Sequence, residues 1–165
     1  VMLSTSALIV QKAVFDISRS GTVAELQELY KQNPNIVNTA NENGYSPLVL
    51  ACYSGNDEVV TFLADKVENI NGATNYGSPL MAATVKGYIK IANILLKHKA
   101  DPNITDAKGV TAGHYAVMFR KYSIIEMLVE ANADFNLKDN NGKSALDYAK
   151  SYNDEKINKL LNIKL

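Results

Sequence analysis

Gly44-Tyr45-Ser46-Pro47-Leu48 recurs down the chain as Tyr76-Gly77-Ser78-Pro79-Leu80, Gly109-Val110-Thr111-Ala112-Gly113-His114 and Gly142-Lys143-Ser144-Ala145-Leu146. An alanine follows each copy at Ala51, Ala83, Ala116 and Ala149, spaced 32, 33 and 33 residues apart. A fixed period of that size marks stacked copies of one supersecondary unit. The Ser or Thr before Pro or Ala reads as a helix N-cap, and Pro suits the first helical position because its missing N–H is not needed there.

Outward from each phrase runs a short apolar helix carrying the alanine, then a turn, marked by Gly55 and Gly87 in two copies. A second, more amphipathic helix follows. Its expected buried sets are Val59, Phe62, Leu63; Ile91, Ile94, Leu95; Ile124, Met127, Leu128; and Ile157, Leu160, Leu161. Spacing i, i+3, i+4 places three side chains on one helix face. Ala100-Asp101-Pro102-Asn103 and Ala133-Asp134-Phe135-Asn136, followed by Asp106 and Asp139, read as tight turns leading into the next phrase. Each unit is thus helix, turn, helix and an extended hairpin-like loop.

In these features the chain resembles the ankyrin-repeat family, specifically the small stand-alone bacterial type. Residues 41–72, 73–105, 106–138 and the capping unit 139–165 follow the family's Asp-x-x-Gly-x-Thr-Pro-Leu-His-x-Ala phrase and its later Ile/Val-x-x-Leu-Leu helix. A degenerate first unit is expected in 8–40, with Val14, Ile17 and Gly21 in register. The expected architecture is an all-α solenoid of about five units in one domain, residues 1–165. The last unit has Asp154, Glu155, Lys156, Asn158, Lys159 and Asn162 as the polar outer surface of a cap. Three departures stand out: Gly113 deletes an expected leucine, Arg120 replaces a turn glycine, and Tyr76-Gly77 shifts a glycine by one. The first leaves a space for Tyr115 or a neighbour to fill. The second demands a left-handed residue or a reshaped turn, and the third a hairpin tip of different shape.

Composition excludes several function classes. Seventeen basic and seventeen acidic residues cancel, leaving no global field to attract nucleic acid or an anionic membrane. One cysteine, Cys52, excludes an internal disulfide framework, and after Ala51 on a short helix it reads as a buried thiol. His114 falls where the family uses a histidine to hydrogen-bond neighbouring loops, and His98 closes a helix whose dipole favours a cation. No phosphate loop, paired metal ligands or nucleophile elbow is present. The expectation is therefore no catalytic residue, no metal, no cofactor and no enzyme activity. Met2 to Val10 is an uncharged, mostly apolar run too short to span a membrane. It reads as packing over the open end of the first unit, in a cytoplasmic protein. The alternative is a signal-peptide remnant over residues 1–10 of a periplasmic or secreted one.

The resemblance implies a scaffold whose concave face, made of loop tips and the exposed sides of the short helices, binds another protein. Carried onto this chain, the partner-binding residues are Tyr45, Tyr53, Tyr76, Val85, Lys86, Lys108, Met118, Phe119 and Tyr152. Further tip positions fall at Asn75 and Val110, and Arg19 lies at the end of the first short helix. The rings either form a contact stripe, for which tyrosine is well suited, or pack between units. The expected partner is one protein, with neither nucleic acid nor membrane, bound by a monomer. The alternative function is a regulatory or protective subunit of an enzyme.

Overall fold

The first helix of each unit begins where a side chain caps it. In the computed structural model, which describes residues 2–72, 74 and 76–164, the hydroxyls of Ser46, Ser78, Thr111 and Ser144 accept the backbone N–H of Val49, Met81, His114 and Asp147. The four helices they open are α3 (Pro47–Ser54), α5 (Pro79–Lys86), α7 (Ala112–Met118) and α9 (Ala145–Tyr152). With α1 (Thr5–Ser20) they form one layer, each packed on the next. A second layer holds α2 (Val23–Gln32), α4 (Asp57–Ala64), α6 (Ile89–Lys97), α8 (Tyr122–Glu130) and α10 (Glu155–Leu160). Among the described residues the regular structure is helical, with a short 3-10 turn at Pro34–Asn38 and isolated bridges Thr74–Gly77 and Lys138–Ser144 in the loops.

The core lies between the layers, and its stripe on the second helices differs in phase from the sequence expectation. Fully buried there are Val59, Val60, Leu63; Ile91, Ala92, Leu95; and Ile124, Ile125, Leu128, a spacing of i, i+1, i+4. Phe62, Ile94 and Met127 are only half-buried, because each second helix faces both its own first helix and the second helices of neighbouring units. In α10 the same stripe buries Ile157 and Asn158, whereas Leu160 and Leu161 are half-buried. Asn158 is thus not part of a polar outer surface but sits in the core, 3% exposed.

Neighbouring units are stitched at the turn between their helices. Gly55 and Gly87 are left-handed, with φ of 77° and 74°, a conformation glycine takes without steric cost. The first residue ahead of the following unit's second helix lies over each: the Tyr88 ring covers Gly55, and the Lys121 chain covers Gly87. Asn56 makes the equivalent contact to the first unit, donating from Nδ2 to the Gly21 carbonyl at 2.9 Å. Gly21 itself is extended, not left-handed as its register suggests, and a Cβ there would sit 2.7 Å from the Ile17 Cα. Loops add a second seam, in which Asn38, Asn71 and Asn103 accept through Oδ1 from the N–H of Glu68, Asp101 and Asp134, 2.7–2.9 Å away.

The irregular positions resolve individually. Arg120 adopts the left-handed conformation at φ 51°, and its guanidinium pairs with Asp154 at 3.2 Å and lies over Tyr152. The space left at Gly113 is taken by the Phe135 ring, not by Tyr115, since a Cβ there would meet it at 3.3 Å. The shifted glycine makes a tighter tip, with Thr74 and Gly77 exchanging both backbone hydrogen bonds. Elsewhere Asn41, Asp106 and Asp139 bond across to Tyr45, Val110 and Lys143. The N-terminal run does not pack over the first unit as expected: Leu8 and Ile9 are 53% and 65% exposed, and only Ala7 and Val10 are half-buried. Helix α1 has 16 residues against 8 in α3, so its opening turns have no neighbour of equal length. Val1 and Leu165 lie outside the described residues, as does Asn75 of the second tip.

Candidate functional site

A groove of about 600 Å³ crosses α1, α3, α5 and α7 on the side of the first-helix layer, with the tips before α3 and α5 as its other wall. It is built by one-turn pairs. Val49 and Tyr53, Met81 and Val85, and Tyr115 and Phe119 are each four residues apart, so each pair shares a helix face. Tyr45 and Tyr76 come from successive tips, their ring centroids 5.1 Å apart. Arg19 closes the end nearest α1 and is paired with Asp16 at 3.0 Å.

Of the nine residues expected to bind a partner, the groove gathers Tyr45, Tyr53, Tyr76, Val85 and Phe119. Lys86 stands at its edge with Nζ 4.8 Å from the centre of the Tyr53 ring. Lys108 is exposed on the third tip, and Met118 and Tyr152 do not line the groove. Tyr152 instead packs beside Tyr148 under Arg120. Val110, expected at a tip, is 8% exposed and faces inward. Sequence reading missed Val49, Met81 and Tyr115 as lining residues. Their signal was the one-turn spacing to positions already singled out.

Tyr115 has a dual role. Its ring stacks on Phe119, centroids 6.0 Å apart and nearly parallel, while its hydroxyl donates to Asp106 at 2.6 Å. Burial and that carboxylate push its pKa up to about 12. Tyr148 repeats the device on Asp139, also at 2.6 Å. By contrast the hydroxyls of Tyr45, Tyr53 and Tyr76 make no hydrogen bond among the described residues.

The remaining reactive side chains are structural. His114 is fully buried, with Nδ1 accepting the Thr111 N–H and Nε2 donating to the Lys143 carbonyl of the next unit at 3.0 Å. Cys52 is fully buried, and burial pushes its thiol pKa far up, away from the thiolate that reacts. His98 bonds the Ile94 carbonyl and the Asp65 carboxylate, each at 2.8 Å, which together raise its pKa. No group of three His, Cys, Asp or Glu is placed to hold a metal among the described residues, and no helix among them is long and apolar enough to cross a membrane.

Comparison with known proteins agrees with this architecture. The family pattern described as ankyrin repeats (3 copies) matches residues 14–106, and a second, ankyrin repeats (many copies), matches 95–149. The chain belongs to the ankyrin-repeat family. Similar proteins include an ankyrin repeat protein of fowlpox virus (strain NVSL), 34% identical over 106 residues, covering 63% of this chain and 24% of that one. The nuclear factor NF-kappa-B p105 subunit of Gallus gallus is 32% identical over 120 residues, 70% of this chain and 12% of its own length. An ankyrin repeat-containing protein of Treponema pallidum (strain Nichols) is 32% identical over 144 residues, 79% of this chain and 48% of its own. The chain therefore spans about half or less of these relatives. Ankyrin repeats are in general protein–protein interaction modules and typically non-catalytic.

Proposed function

We propose that this protein is a non-catalytic interaction module that binds one protein partner, as a monomer, through the groove across α1, α3, α5 and α7. The observation that carries the reading is the clustering of exposed rings there. Tyr53, Tyr76 and Phe119 are 55%, 68% and 50% exposed, yet line one groove. Contiguous apolar surface left in water is costly, and such patches mark contact sites. Tyrosine supplies large contact area at low conformational cost, which is why it anchors interfaces.

Truncating these rings is expected to leave the fold intact, since neither Tyr53 nor Phe119 belongs to the buried core. Affinity capture from the native organism identifies the partner. Tyr53→Ala and Phe119→Ala are each then expected to weaken the complex by about tenfold or more, with thermal unfolding nearly unchanged. Unchanged affinity in both variants would remove this face from consideration.

A further inference from the structure

We propose that the segment this groove accepts is acidic as well as apolar. A large apolar side chain seats against Tyr53, Val85 and Phe119, and an aspartate or glutamate beside it reaches Lys86. The proposal rests on the reading of the groove as the partner-binding face and adds the chemistry of what enters it.

Charge is divided unequally between the two layers of this neutral chain. The five first helices contain only two acidic residues, Asp16 and Asp147, and each is held by a cation, Arg19 at 3.0 Å and Lys138 at 2.6 Å. The five second helices contain seven, spread over α2, α4, α8 and α10. Among the described residues no carboxylate lines the groove, whereas Arg19 does. Lys86 has no carboxylate partner among the described residues and rests on the Tyr53 ring, at the edge of an apolar floor.

Those features discriminate between ligands. A carboxylate arriving beside an apolar anchor meets an unpaired ammonium where bound chain displaces water, so the attraction is less screened than in bulk solvent. The hydroxyls of Tyr45, Tyr53 and Tyr76, which bond to nothing else among the described residues, are donors a carboxylate can accept. A basic segment instead meets like charge at the unpaired Lys86, which disfavours it, while Arg19 is already paired with Asp16. An uncharged apolar segment fills the groove but leaves Lys86 unpaired.

The test uses a displayed library of random peptides, about twelve residues long, selected on the intact chain. Asp or Glu next to Phe, Leu, Ile, Met or Trp is expected to be enriched over Lys or Arg in the bound pool. A fluorescein-labelled peptide of the leading sequence is then compared with its counterpart carrying Lys at the acidic positions. The acidic peptide is expected to bind about tenfold tighter at low salt, and Lys86→Glu to reverse that order. Equal affinity of the two peptides, with both weakened by Phe119→Ala, overturns the acidic requirement while the groove remains the binding face. Binding untouched by Phe119→Ala and Tyr53→Ala overturns the groove reading, and this proposal with it. Self-association that Phe119→Ala abolishes assigns the groove to a second copy of the chain and also overturns it.

Discussion

Asn158 sits where Val60, Ala92 and Ile125 sit in other units, yet neither polar atom of its side chain finds a hydrogen-bond partner. Leaving buried polar groups unpaired costs about 1–3 kcal/mol. Asn158→Leu, which keeps the same branched side-chain skeleton with methyls in place of the amide and is apolar like its counterparts, is expected to raise the unfolding free energy by about 1 kcal/mol in urea titrations. A loss of stability would contradict the reading of Asn158 as an unpaired buried amide. His98 makes a prediction of defined sign. Its folded pKa is raised above the ordinary 6.5 by the Ile94 carbonyl first and Asp65 second. The folded state therefore holds the proton more tightly, and the stabilisation is complete below about pH 6.5 and lost as pH rises through the folded value. The advantage of the wild type over His98→Gln is expected to shrink between pH 6 and pH 8.5, by less than about 1 kcal/mol because the pair is partly exposed. An advantage that grows with pH would contradict the assignment.

At the scale of elements, the turn between paired helices decides how units join. Two turns use a left-handed glycine; the third uses Arg120, which retains the left-handed cost but pairs with Asp154 of the next unit. Arg120→Gly and Arg120→Ala both lose that pair, and only the alanine keeps the strain. The glycine variant is therefore expected to be the more stable by about 1 kcal/mol, read from their urea midpoints. Equal stability would mean that the turn relaxes without glycine. Much at this scale was legible in sequence. Ser46, Ser78, Thr111 and Ser144 announced the helix starts because capping is a local interaction between neighbours in the chain. Less legible was the phase of the second-helix stripe. Periodicity finds an apolar face, but the extra burial of Val60 and Ile125 comes from packing between units, which a single helix does not encode. The first turns of α1 were misread for a related reason: an apolar run signals a wish to be buried, not the presence of a neighbour.

Across the whole molecule, the stack aligns side chains 32 or 33 residues apart into one surface, and there the sequence spoke unevenly. Tyr53 and Val85 were legible because the repeat period fixes which helix positions point outward; in the third unit the equivalent position is Met118, and the groove takes Phe119 one place further on. Tyr152 was not separable from them by period alone; it packs beside Tyr148 under the unit-specific Arg120 and does not line the groove. Lys86 acquires meaning only from the Tyr53 ring beneath it, a contact between residues 33 positions apart. Hydrogen exchange of the complex with the captured partner tests the central claim most directly, because it reports which layer the partner covers. The prediction is slowed exchange in the hairpin tips around Tyr45 and Tyr76 and at the C-terminal ends of α3, α5 and α7, with α4, α6 and α8 unchanged. Protection confined to α4, α6 and α8 would place the partner on the opposite layer and contradict the account.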